Sequence, residues 1–194
     1  MEEKKTSLVV RLIQWLLWAL AGFLLIVFFM PVCRGPLRPA NEANAQNTAY
    51  NLKNAIAAYY TEYRKYPVPG EPEGDTSLQS DHALMDVLLG SDPEAEVDGL
   101  NPRRIAFFTG KQAKPMGKGK FRKGVHLEEG GRGELWDPWG NYYRVVLDTD
   151  HDNRVEKPEW DKTSDSAELH ESILVWSAGP DGDFETGKDN VKTW

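Results

Sequence analysis

The sequence predicts an α+β fold, and three observations carry that prediction. The first is an uninterrupted apolar run near the N-terminus, and the second a long stretch with apolar side chains at helical spacing. The third is a C-terminal half in which β-branched and aromatic residues sit between acidic, glycine-containing loops. With 194 residues, 40% of them apolar and seven tryptophans, the chain can build one core-bearing domain with an appendage. The net charge of -7 is unevenly spread: residues 1–39 carry five Lys/Arg against two Glu (+3), and residues 40–194 carry 18 against 28 (-10). That balance excludes nucleic acid as a natural partner and favours a cation. A single cysteine, Cys33, excludes an internal disulfide and any Cys-rich zinc site.

In chain order, Leu12–Val32 is apolar except for Gln14, and at 1.5 Å rise per residue such a run matches a bilayer core of about 30 Å. The expectation is a transmembrane helix over 12–33, after a cytoplasmic N-terminus over 1–11. A cleaved signal peptide is the alternative, because Ala19-Leu20-Ala21 resembles a peptidase site; cutting there would leave GFLLIVFF exposed, so an uncleaved anchor is the better reading. Lys4, Lys5 and Arg11 before the span, against Arg34 and Arg38 after it, orient the N-terminus inward. The rest of the chain is then extracytoplasmic, on a single-pass protein of the inner (cytoplasmic) membrane, with membrane lipid as one partner. Cys33 reads as an ordinary juxtamembrane thiol.

Pro31, Gly35, Pro36 and Pro39 predict a linker over 34–40, and the extramembrane domain follows over 41–194. Ala45, Ala49, Leu52, Ile56, Tyr59, Tyr60 and Tyr63 recur at steps of three and four and predict an amphipathic helix ended by Pro67, packed against a sheet. The segment SDHALMDVLLG predicts a short helix capped by Ser80 or Asp81 and stopped by Gly90, with Leu84, Met85, Leu88 and Leu89 inside. RIAFF reads as a strand, and KQAKPMGKGKFRKG as a solvated basic loop. WDPWGNYYRVVLD and ESILVWSA supply the remaining strands, with Pro138 and Gly140 marking the turn into the first.

Between them, the twelve residues Asp148–Glu159 place carboxylates at positions 1, 3, 5, 9 and 12, the spacing of an EF-hand calcium loop without its entering helix. Asp148, Asp150 and Asp152 would supply side-chain oxygens, Arg154 its carbonyl, Glu156 a direct or water-mediated contact and Glu159 a bidentate carboxylate. Asn153 stands where such loops carry Gly, which is tolerable because Asn visits the left-handed region. The alternative is a hairpin whose Asp and Asn side chains only cap turns. His82, His126, His151 and His170 share no metal-ligand spacing along the chain, and the acid pairs in these loops suit a cation better than general acid/base work, so the chain does not read as an enzyme.

Asn51-Leu52-Lys53, Tyr66-Pro67, Asp137-Pro138-Trp139-Gly140-Asn141-Tyr142-Tyr143 and Trp176-Ser177-Ala178-Gly179-Pro180-Asp181-Gly182, in this order behind an apolar N-terminal helix, resemble the major pseudopilin family of the type II secretion system. The resemblance covers the layout of residues 40–194. It implies a pilin-like head, in which a long helix lies on a small antiparallel sheet, with a calcium loop near the C-terminus. By position that loop is Asp181, Asp183 and Asp189, with Glu185 a further candidate. It also implies a structural or accessory role in a type II secretion or type IV pilus-like apparatus, with other pseudopilin or secretion-apparatus subunits contacted through the N-terminal helix. Gly22-Phe23-Leu24-Leu25-Ile26-Val27 echoes the family's processing site, but the Gly lies inside the apolar run and Val27 stands where the family has Glu. A non-assembling, calcium-dependent binding module of the cell envelope, anchored in the membrane, is the rival reading.

Overall fold

The computed structural model describes residues 8–29, 37–70, 72–92, 99–128, 131–163 and 165–194. Lys4, Lys5, Pro31, Cys33, Gly35 and Pro36, on which parts of the N-terminal reading rest, lie outside them. The chain divides into two compact units at Ala40/Asn41.

The first unit contains α1 (Leu8–Phe29). Among the described residues, no helix is long and apolar enough to cross a membrane. The expected transmembrane helix over 12–33, and with it the single-pass inner-membrane placement, are corrected accordingly. The described side chains of this helix include Arg11 and Gln14, both exposed. Trp15 and Trp18 are each 77% exposed on this helix.

The second unit is built on α2 (Leu37–Tyr63) from Asn41 onward, and this helix starts earlier than the proline-rich sequence suggests. Pro39 is tolerated because it sits in the first turn, where a backbone N–H has no intrahelical acceptor to lose. Arg64 ends the helix in the left-handed region, its N–H donating to the Tyr60 carbonyl at 2.8 Å, and Pro67 prevents any continuation. The expected stripe is the buried one: Ala45, Ala49, Leu52, Ile56 and Tyr59 are fully enclosed.

Among the described residues ten short strands follow, with a helix after the first: β1 (Thr76–Gln79), α3 (His82–Leu89), β2 (Lys114–Gly117), β3 (Lys120–Arg122), β4 (Gly124–Leu127), β5 (Gly133–Trp136), β6 (Arg144–Leu147), β7 (Val155–Glu156), β8 (Glu168–Leu169), β9 (Ile173–Ser177) and β10 (Val191–Lys192). The main sheet is antiparallel in the order β1-β6-β9-β10, and β2–β3, β4–β5 and β7–β8 pair as separate hairpins. Side chains alternate across it as the pleat requires. Val145, Leu147, Ile173 and Val175 join α2 and α3 in the larger core, while Val146, Leu174 and Trp176 face the other way. That second face is covered by Val155, Trp160, Leu169, Phe184 and Trp194, all from loops and strand ends.

Asp81 caps α3 by accepting the Ala83 N–H at 3.1 Å, and Gly90 ends it at φ 74°. Ser80 takes a different part: its hydroxyl donates to the Leu135 carbonyl and accepts the Tyr143 N–H, stapling β1 to its neighbours. RIAFF is no strand, because Phe107 and Phe108 both donate to the Leu88 carbonyl at the open end of α3. The basic segment is a hairpin and not a loop. Lys118 and Gly119 both have positive φ between paired Gly117 and Lys120, the signature of a type I′ turn.

Candidate metal centre

The register of β1 on β6 positions the first acidic site. Thr76 lies opposite Leu147 in an antiparallel pair, so the next residues outward, Asp75 and Asp148, become neighbours although they are remote in sequence. The carboxylates of Asp75, Asp148 and Asp150 each bring one oxygen within 4.8 Å of the others. Asp148 is almost fully buried, and its carboxylate accepts the N–H groups of Asp152 and Asn153, both at 3.1 Å. Asp152 accepts the Arg154 N–H at 2.8 Å, and Asp75 accepts that of Glu156 at 2.9 Å. His151 and Asn153 hold positive φ, and the His151 ring stacks on Tyr66 at a centroid distance of 5.7 Å, so the tip of the loop is pinned to the segment that follows α2.

Burial pushes the Asp75 and Asp148 carboxyls up, and the neighbouring aspartates add to that shift, while the backbone N–H donors oppose it. A cation between them would relieve that repulsion. Asp75, Asp150, Asp152, Arg154, Glu156 and Glu168 line one cleft of about 400 Å³. Arg154 pairs with Glu168 at 2.8 Å across it. Glu159 is elsewhere: it lines a second cleft with Trp160, Phe184 and Glu185. The loop therefore differs from an EF-hand in its closing ligand, because the strand pairing supplies Asp75 while the chain carries Glu159 past Pro158 to the other face. Spacing along the chain contains no signal for Asp75; only the β1–β6 register does.

The later loop is closed by its own turns. Asp181 accepts the Asp183 N–H at 2.9 Å and the Thr186 hydroxyl at 2.6 Å, and Asp183 accepts the Glu185 N–H at 2.9 Å. These donors hold Asp181 below the ordinary carboxylate range, whereas burial and the Asp181 charge push Asp189 up. Asp189 Oδ1 is out of solvent and has no hydrogen-bond partner. Gly179 is obligatory here, since at φ 71° a Cβ would sit 2.1 Å from the Asp189 carbonyl oxygen.

Two of the sequence patterns prove to be one structural unit. The fully buried Asp137 accepts the N–H groups of Trp139, Gly140 and Asn141 through Oδ1, at 2.7–2.9 Å, and the Ser177 hydroxyl through Oδ2 at 2.6 Å. Ser177 in turn accepts the Gly179 N–H at 3.1 Å, so the turn before β6 and the start of the late acidic loop share a carboxylate. Burial raises the Asp137 carboxyl against the pull of its four donors. Asp161 shows the opposite balance. Burial would raise it, but hydrogen bonds from Lys192 (2.7 Å), Trp194 (2.6 Å) and Thr163 (3.0 Å) outweigh this and hold it far below its ordinary value.

Chemically, both loops offer hard oxygen donors, and of the two only the first brings three carboxylates within 4.8 Å of one another among the described residues. No protein family, no curated protein and no solved structure matches this chain.

Proposed function

We propose that the chain is a pseudopilin-like structural or accessory subunit of a type II secretion or type IV pilus-like apparatus, with a calcium-stabilised head and lateral contacts made by α1. The observation that carries this reading is the arrangement of residues 41–194: one long helix lies on an antiparallel sheet, and acidic loops close the sheet's opposite face. An oxygen-rich cleft whose aspartates repel one another, and whose backbone turns are already formed, serves to hold a cation as structure and not to turn over a substrate. The exposed tryptophans and leucines of α1 supply an apolar surface of the kind that marks protein contacts.

Crosslinking the full chain in cells that carry its apparatus tests the assembly. A ladder of oligomers that disappears with Trp15→Glu plus Trp18→Glu is expected. No ladder, together with secretion unchanged by deletion of the protein, would overturn the subunit role. Thermal melting with calcium and with chelator tests the head, and an unchanged midpoint would remove calcium from the reading.

A further inference from the structure

Away from the acidic loops, α3 meets the β4–β5 hairpin in a second cluster of ligating groups. His82 Nε2 lies 3.5 Å from Glu134 Oε1 and 3.7 Å from Glu128 Oε1, and the three ligating atoms all fall within 4.8 Å of one another. We propose that His82, Glu128 and Glu134 form a site for a divalent first-row transition ion of the zinc class, which clamps α3 to that hairpin.

Four observations support the assignment. The separations are too long for charge-assisted hydrogen bonds, which close to about 2.7–2.9 Å. They are close to the edge of a tetrahedral site: bonds of about 2.0–2.1 Å to nitrogen and oxygen put neighbouring ligands roughly 3.4 Å apart. Secondly, Glu134 is held in place by its own donors, Trp136 Nε1 at 3.2 Å on Oε2 and the Tyr142 hydroxyl on Oε1, which leaves a lone pair of Oε1 for an ion. Thirdly, His82 Nδ1 is shut off from solvent without a hydrogen-bond partner, and Asp86 Oδ1 stands 4.0 Å from it. Binding through Nε2 fixes the proton on Nδ1, facing that carboxylate, in the order carboxylate, histidine, metal that orients ligating imidazoles. Asp86 is itself anchored by the Gly133 N–H at 2.5 Å. Lastly, imidazole with two carboxylates favours zinc-class ions, whereas calcium prefers oxygen alone. Glu128 is half-exposed, so a water can reach the fourth position.

This site stands independently of the calcium loops and of the pseudopilin reading. Its test is calorimetric titration of the full chain with zinc chloride in excess calcium, repeated on three variants. The wild type is expected to take up one equivalent of zinc. Glu128→Gln and His82→Gln each weaken that binding at least tenfold, and Asp148→Asn leaves it unchanged. Cobalt substituted for zinc gives the intense visible bands of a tetrahedral ion in the wild type and loses them in Glu128→Gln. Glu128 follows the last residue of β4 and is half-exposed, so its variant remains folded even where His82→Gln does not. Absence of zinc uptake by the wild type, or equal affinity in wild type and Glu128→Gln, would overturn the proposal and leave His82 as a simple ion-pair partner of the surrounding acids.

Discussion

The two faces of the β1-β6-β9-β10 sheet are closed by different physics. On one side α2 lays down a continuous strip of Ala49, Leu52, Ile56 and Tyr59, whose own backbone hydrogen bonds are satisfied within the helix. On the other side the cover is a patchwork of Val155, Trp160, Phe184 and Trp194, carried on turns whose polar groups are satisfied by aspartates. Aspartates that cap turns also bring charge to the edge of a core, so this face stays closed only where donors or cations neutralise them. Asp161 solves that problem internally, through Lys192 and the Trp194 indole. Asp75, Asp148 and Asp150 instead meet backbone N–H donors and one another, with Arg154 lining the same cleft.

The largest expected effect is on the helix-covered face. Leu52→Ala leaves a cavity in a fully enclosed site and costs about 3–4 kcal/mol in urea unfolding, equally with and without calcium. Rescue of that loss by calcium would break the contrast between the faces. Next comes the cation itself. Calcium at 100 times its Kd adds about 2.7 kcal/mol to the wild type, and Asp148→Asn removes most of that increment. Mutating the Asp161 clamp follows: Asp161→Asn costs about 2 kcal/mol at neutral pH, irrespective of calcium. Its folded value is depressed, so its contribution is present above the ordinary Asp range, about pH 4, and is lost as pH falls below it. The gap between wild type and variant therefore narrows as the pH falls below about 4, and a gap of the same size at pH 5 and at pH 2 would refute the clamp. The smallest effect is alkaline. Burial raises the Tyr66 hydroxyl to about 12, so the stability it contributes is complete below pH 10 and lost as pH climbs from 10 towards 12. Tyr66→Phe flattens that limb of the stability profile.

Helical periodicity makes α2 and its buried stripe readable from the sequence, and for α3 the Gly90 stop is equally plain and the cap narrows to Ser80 or Asp81, because such signals act within one or two turns of chain. The apolar N-terminal run predicts a membrane span, whereas among the described residues no helix is long and apolar enough to cross a bilayer. RIAFF has the composition of a strand but spends its donors on the end of α3. Spacing alone grouped Asp148, Asp150 and Asp152 and attached Glu159 to them, whereas Asp75 and the His82 cluster depend on which strands pair. Pairing is a property of the whole fold, and no local window of sequence contains it.

The β1–β6 register that brings Asp75 beside Asp148 also fixes when a cation can act. The two carboxylates converge only after a non-local strand pair has closed. An ion held there has nothing to grip in the rate-limiting ensemble if that pair is still open, so it lengthens the lifetime of the native state without hastening its formation. Calcium bound at this cleft would be a lock on unfolding and not a guide to folding.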